Sequence, residues 1–537
     1  MASTPRRSQR SNRARAVLAA AALIIALPAS TVGAQGHPHP ATAFVNVLAA
    51  GGQAIPLINS GDVVNGVTMP GIPDGIGIMP VGNGKQQIDL FVTFEQSHVP
   101  FGGFADYQDS SVQRVRLDLK SGQVVDLKDM LPASAGFIRF CSANMVGPDQ
   151  GFADYTFLAN EESNDVLTVQ AGQPYGADPE ITPYRQAGYS VYLDAKTGAY
   201  KAIPGAGRMN HENTLVVPGG WNSVVAVTGD DTFSAPSSQL YMYSASSPGA
   251  FKQDRGSLWA FRVTSKNGDP VTETDPFNNA NDYLEVAAGD TLSGHFIQVP
   301  DDIARGTHDG GVNPQTDLED WSNANNVFQF VRIEDLAYDP ESPRTVYFTD
   351  TGTTRLQESG STGRLIRAGS SAYPYVNSDG RVFKMVLNAD DPTVVDSLQI
   401  LASGLLQEQT SATTFNTLDA GVGLVNPDNV AVGHDSLMVQ EDASSTPTNN
   451  DIWIHPLGTA TWTRVATVNQ ALAETSGIVD ASQWLGAGWW IFDVQSHSTQ
   501  ESFGTGSYTV PITNQVISGY TIRRELGQLL LLYVPGS

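Results

Sequence analysis

Short apolar runs, each stopped at a carboxylate, recur along this chain. Residues 328–351 show the pattern in full: FQFVRIEDLAYDPESPRTVYFTDT runs an apolar segment into Glu334-Asp335 and turns through a Pro-rich stretch. A second apolar run, 345–349, then stops at Asp350. Side chains alternate faces along a strand, so Phe330, Arg332 and Glu334 are expected to point the same way. An Arg and a Glu two apart at the edge of an apolar strand suit anion and metal binding together; a surface ion pair would leave the same trace. The unit returns imperfectly at Glu95, Glu161-Glu162, Asp230-Asp231 and Glu441-Asp442, with a weaker sixth copy, ASQWLGAGWWIFDVQ, ending at Asp493.

Between these units lie hairpins of another kind: VRLDLKSGQVVDL, VYLDAKTGAYKAI, LWAFRVTSKNGDPVTE and VFKMVLNADDPTVVDSL. They read as strand, polar Gly- or Pro-containing turn, strand. Two strands plus a hairpin make a four-stranded blade, and about six blades close into an all-β propeller. The inner strands of such a fold end at one mouth of a central channel, so acids at equivalent strand ends converge although far apart in sequence. One acid per blade is also ordinary turn chemistry; doubled acids in three copies ask for more. Two stretches break the rhythm, 269–326 (rich in Asn, Asp and Gly) and 351–379 (rich in Ser, Thr and Gly), and both are expected as loops capping a channel mouth. Helical periodicity is expected only near the N-terminus.

The first 34 residues pair a basic start with the apolar stretch 16–27 and a small-residue site ending at Ala34. That is the pattern of an export signal cleaved near Ala34, leaving 35–537 as a single propeller domain in the periplasm or outside the cell; Arg6-Arg7 also admits twin-arginine export. No later segment is apolar enough to span a bilayer. Without the five Arg of the signal, 25 basic residues stand against 55 acidic ones. That balance argues against nucleic acid or anionic membranes as partners and makes hard cations, chiefly Ca2+, the natural counterpart of so many carboxylates. Cys141 is the only cysteine, so no intrachain disulfide exists; a lone buried thiol is the ordinary reading of such a residue.

Arg208-Met-Asn-His211-Glu212 offers a cation, an imidazole and a carboxylate within five residues. On a strand Arg208 and Glu212 share a face while His211 looks the other way, a core position or, less often, a substrate contact. Asp428-Asn429 supplies two oxygen ligands of the kind calcium accepts, unless it merely caps a turn. The GxSxG elbow, the HExxH helix, the P-loop and the EF-hand loop are all missing, which removes the usual serine-hydrolase, zincin and nucleotide routes.

In the order FVTFE, RFCSANM with a downstream NEES, GRMNHEN, FVRIEDLAYDP and NPDNVAV with QED, these motifs resemble the PhoX-type alkaline phosphatases, exported β-propeller enzymes. The resemblance runs from about Asp74 to Asp442 and includes the only cysteine. It implies hydrolysis of small-molecule phosphate monoesters at a centre of Ca2+ and Fe3+. Carried over motif by motif, Cys141 would be a thiolate ligand and catalytic group. Glu95, Glu162, Glu212, Glu334, Asp428 and Glu441 would be carboxylate ligands, joined by Asp231, with Glu212 also in the catalytic set. Arg332 would clamp phosphate, with Arg208 and His211 as further substrate contacts; Trp221 is the one tryptophan suggested for that role. The chain departs from the pattern in having GFADYTF after the cysteine and Asp230-Asp231 where the family tends to Glu-Asp.

The chemistry is coherent without the resemblance. A phosphate ester is an anion that a chain this acidic would repel unless bound cations reverse the local field, and a thiol among carboxylates ionises only beside a strongly charged metal. Two other readings compete: a different calcium-dependent propeller hydrolase (a lactonase or phosphotriesterase), and a non-catalytic propeller that binds a partner. A monomer is the expected state.

Overall fold

The export signal expected at residues 1–34 lies outside the described residues. The computed structural model describes residues 42–537, except 83–85, 96–109, 165, 169–183, 233–236, 273–281, 311–312, 443–449 and 510–515. Six four-stranded antiparallel blades are present, each running outward from an inner strand in hairpin order. The inner strands are Pro73–Pro80, Phe140–Val146, His211–Val216, Ile333–Asp339, Pro427–Val432 and Ala473–Asp480, for blades 1 to 6. Each packs against the next, and the sixth against the first, so the ring is closed. Blade 6 takes its outermost strand, Gln53–Asn59, from near the start of the chain, and Val45–Val47 adds a fifth strand to blade 5. The ring is thereby closed by hydrogen bonds between the two ends of the sequence.

Local chemistry accounts for the hairpins. Asp118-Leu-Lys-Ser-Gly122 and Asp194-Ala-Lys-Thr-Gly198 are the same turn twice. In each, the Asp carboxylate accepts the N–H groups two and three residues on, and the glycine takes a left-handed φ of +70° or +78°. Only glycine adopts that conformation without strain. Between blades 3 and 4 the alternating apolar positions meet as an aromatic cluster. Phe330 stands edge-on to Phe348 (5.5 Å) and Phe383 (5.4 Å), all three buried. Burial of each such ring contributes roughly 1.5–3 kcal/mol, and Phe330→Ala would cost about 3–5 kcal/mol.

The two interruptions are more ordered than their composition suggests. Segment 269–326 carries the strand Leu292–Gln298, which pairs with both Gly256–Lys266 and Val394–Ser403 and so joins the sheets of blades 3 and 4. It also carries an 11-residue helix, Pro314–Ala324. Pro314 at its first turn and Asp317 nearby are favourable helix-start residues, a signal hidden by the polar composition. Segment 351–379 contributes Leu356–Glu358, Leu365–Arg367 and Tyr375–Ser378 to a five-stranded sheet with Leu406–Ser411 and Thr414–Asp419. Both had been expected as loops; buried Leu356 and Leu365 anchor the second one to the core between blades 3 and 4.

Candidate active site

The second residue of every inner strand is an acid or the cysteine: Asp74, Cys141, Glu212, Glu334, Asp428 and Glu474. All six line one cavity of about 670 Å3 at the channel mouth. The backbone repeats with them. The residue before the inner strand has a left-handed φ in five blades, at Ile72 (+50°), Arg139 (+45°), Arg332 (+62°), Asn426 (+50°) and Leu472 (+50°). Non-glycine residues bear a cost there, and such strain clusters at functional sites. In blades 1 to 5 the carbonyl before the inner strand accepts an N–H from the neighbouring strand, from Glu95, Glu162, Asp231, Thr351 and Asp442 in turn, at 2.9–3.1 Å. These five, with His497 in the same register in blade 6, form a second ring around the first.

The doubled acids follow from alternation. Adjacent side chains on a strand face opposite ways, so one member of a pair looks into the channel and the other away. Glu161, Asp350 and Glu441 look away, and each accepts the N–H two residues before its own inner strand: Ile138 (3.0 Å), Val331 (2.6 Å) and Val425 (2.8 Å). Glu441 also accepts from Asp451 N (3.0 Å) and the Trp453 indole (2.8 Å). It therefore braces the turn and does not line the cavity, contrary to its expected place among the ligands; Asp442 lines the cavity in its stead. In the same way the weak sixth copy is misregistered. The strand there runs on to Thr509, Asp493 lies within it, and the position equivalent to Glu95 is His497.

Two groupings stand out within the rings. Cys141 has one ligand atom mutually within 4.8 Å of Asp74 and Glu95, and again of Glu162 and Glu212; Asp428, Asp442 and Glu474 form an all-oxygen trio on the same criterion. Cys141 Sγ is 2.6 Å from Glu162 Oε2. Close approach of the first two inner strands sets Asp74 beside Cys141, since a Cβ on Gly75 would fall 2.3 Å from Ala143 N. Burial pushes the Cys141 thiol well above its usual range, and Glu162, Glu95, Asp74 and Glu212 push it further. Glu212, Glu334, Asp428 and Glu474 are raised likewise, by burial first and then by their carboxylate neighbours. So many desolvated anions cannot ionise together without cations among them. A trio of oxygens suits a hard cation, and a thiolate among carboxylates suits a transition ion; the donor set fits both.

Cations from the chain stand at the rim. Arg332 holds Asp231 in a bidentate pair (Nε–Oδ1 3.0 Å, Nη2–Oδ2 3.1 Å), and its Nη2 is also 3.1 Å from Glu334 Oε1. Thr351 donates to that same Glu334 oxygen at 2.5 Å. Burial works to lower the Arg332 pKa, but Asp231 and Glu334 outweigh it and the guanidinium stays charged. His497 lies between Glu525 (2.8 Å) and Glu474 (3.5 Å), which hold it protonated well above its usual range against the effect of burial.

A comparison of the sequence with family profiles finds a match, described as alkaline phosphatase PhoX, over residues 155–484. The chain belongs to the PhoX alkaline phosphatase family. It is a metal-dependent phosphatase acting on phosphoric monoesters. The structure is similar to that of Pseudomonas fluorescens PhoX in complex with vanadate, a transition state analogue. The TM-score is 0.60 at 13% identity, covering 93% of this chain and 97% of that one, a likeness of fold. A virginiamycin B lyase from Staphylococcus aureus (TM-score 0.33, 9% identity, 89% and 98% covered) and a putative 6-phosphogluconolactonase from Bacteroides uniformis (TM-score 0.23, 11% identity, 70% and 95% covered) are too distant to carry an argument. None of the curated proteins matches the sequence. Family membership decides for the phosphatase over both competing readings.

Within this PhoX relative, Cys141, Glu95, Glu162, Glu212, Glu334, Asp428 and Arg332 meet in the cavity. Asp231 does not line it; both its oxygens are taken by Arg332. Arg332 itself is not a strand residue sharing a face with Phe330 and Glu334. It takes the left-handed kink before the strand, which turns Phe330 into the aromatic core. Arg208 and His211 do not line the cavity either. Arg208 is buried with its guanidinium 3.7 Å over the Tyr189 ring and donates to Gln186 O. His211 donates from Nε2 to Gly207 O (3.0 Å) and accepts at Nδ1 from Thr228 (3.2 Å), and burial pulls its pKa down to about 4. It is a neutral core residue. Trp221 donates its indole N–H to Asn388 O (3.1 Å), likewise away from the cavity.

Sequence reasoning missed Asp74, Arg139, Asp442, Glu474 and His497, all at the cavity. One signal would have found the first-ring members. Aligned on their starts, PDGIGI, FCSANM, HENTLV, IEDLAY, PDNVAV and AETSGI share an acid or cysteine at the second position and a small or polar residue at the third.

Proposed function

We propose that this chain hydrolyses phosphate monoesters at a mixed centre, with iron held by Cys141 and its surrounding carboxylates and calcium by Asp428, Asp442 and Glu474. The six-fold placement of an acid or thiol at one register position carries the reading: repetition of a blade explains recurrence of a strand, not a ring of buried anions. When bound, such ions would polarise the phosphoryl oxygens, steady the leaving alkoxide and supply an activated oxygen nucleophile.

The protein's own part is binding and orientation. Arg332, its Nε and Nη2 engaged by Asp231 and Glu334, would donate to phosphoryl oxygen through Nη1, and Asp231 fixes the plane of the guanidinium from behind. Glu334 completes the support, itself aimed by the Thr351 hydroxyl. His497, charged between two carboxylates, orients Glu474 towards its oxygen partners. Thiol and carboxylates give up protons as cations enter, so loading is expected to release protons and to weaken as pH falls. Export to the periplasm or beyond suits a calcium-loaded site and the apolar N-terminal stretch; no helix among the described residues is long and apolar enough to cross a membrane.

The test is elemental analysis of protein purified without chelator, alongside phosphate release from 4-nitrophenyl phosphate. Calcium together with iron, and turnover abolished by chelation, is the expected result. Calcium alone with full turnover would remove Cys141 from the centre and sink the proposal.

A further inference from the structure

The sheet built from segment 351–379 brings a guanidinium to the cavity that the chemistry above does not use. Arg367 lines the mouth beside Thr353, whose hydroxyl accepts from its Nη2 at 2.8 Å. Its position is fixed from two directions. Strand alternation puts it on the same face as buried Leu365, with exposed Ile366 between them. Arg364 meanwhile ties the strand to the helix Pro314–Ala324 through Glu319 (2.5 Å). Leu356 pairs opposite Arg367, and Arg355, whose carbonyl accepts the N–H of Ala368, is near enough for its charge to act on Arg367.

Arg332 is already matched by Asp231 and Glu334, whereas among the described residues no carboxylate lies within ion-pair distance of Arg367 or Arg355. Burial, Arg355 and Arg332 together pull the Arg367 pKa below its usual range, which marks a positive cluster without its counter-charge. In a chain of net charge −25, an arginine at the mouth with no carboxylate in ion-pair distance calls for an anion from outside.

Building on the phosphatase reading, we propose that Arg367 binds a second anionic group on the alcohol part of the substrate, so that the enzyme prefers monoesters whose leaving group carries its own carboxylate or phosphate. A binding contact of this sort acts mainly through KM. Its loss is expected to cost about tenfold, the scale of one charge-assisted hydrogen bond.

Metal-loaded enzyme is assayed on 4-nitrophenyl phosphate and on two versions of it carrying a ring carboxylate or a ring phosphonate. The ratio of kcat/KM, charged over plain, is expected to favour the charged esters in the native enzyme. It should fall about tenfold in Arg367→Ala, through KM, and return in part in Arg367→Lys. Whichever charged ester shows the larger fall identifies the group recognised. A ratio unchanged by Arg367→Ala, or a parallel loss on all three esters, overturns the inference while leaving the phosphatase reading intact. Failure of the native enzyme to release phosphate from any of them would overturn both.

Discussion

Blades 1 to 3 gather Cys141 among Asp74, Glu95, Glu162 and Glu212, while blades 5 and 6 bring together only oxygen, from Asp428, Asp442 and Glu474. The scaffold under the two halves is closely alike: the residue before the inner strand is left-handed in all of these blades but the third, and its carbonyl accepts the neighbouring N–H in all but the sixth. The difference is one sulfur in six equivalent positions. A thiolate favours a transition ion and a cluster of carboxylates a hard one, so on the proposed reading a single substitution in a repeated frame would make two unlike metal seats from one fold. Blade 4 stands between them with Arg332 and Glu334, placed to serve whatever bridges the two.

Cys141→Ser tests the contrast most severely. It should strip iron, lower turnover of an aryl phosphate by about a thousandfold, the upper range for loss of one charge-stabilising group, and leave calcium in place. Loss of both metals would mean that the halves are a single site. Next, Arg332→Ala should lower kcat/KM by about 2–4 kcal/mol in transition-state terms with metal content unchanged, because its proposed role is to bind phosphate, and a guanidinium holds no metal ion. A drop in either metal would make it part of the seat. Asp442→Asn should lower calcium affinity and activity about 10–100-fold and keep iron, as read by elemental analysis after dialysis.

The smallest effect on activity belongs to the neighbour of Asp442. Glu441→Gln should leave both metals and turnover near native values, yet destabilise folding by about 1–3 kcal/mol, the cost of a disturbed buried hydrogen-bond set, measured by denaturant unfolding of the loaded protein. If Glu441→Gln strips calcium while Asp442→Asn does not, the assignment of the doublet is reversed.

Much of the site was legible because strands that end on acids are a local pattern. Short runs brought out Glu95, Glu162, Glu212, Glu334, Asp428 and Arg332 as candidates, and it was the family resemblance that gave them, with Cys141, their expected roles. Which acid of a doublet faces inward was not legible, since that depends on register against the neighbouring strand; the choice fell correctly at Glu162 and wrongly at Glu441. Arg208 and His211 misled for a related reason. Polar residues packed beside a ligand in sequence resemble a site, but blade 3 turns them into its core.

Composition and periodicity alone pointed to an all-β chain of about six blades and made cations one natural counterpart of its excess of carboxylates. Those properties are set by side chains acting on their immediate neighbours. Only the closed ring decided that Asp74 and Glu474, some 400 residues apart, belong to one centre, and that a polar stretch after blade 4's second strand folds into a sheet presenting Arg367. Closure brings into contact groups that share no local signal, because the strand ends meet through the pairing of chain termini and not through anything written beside them.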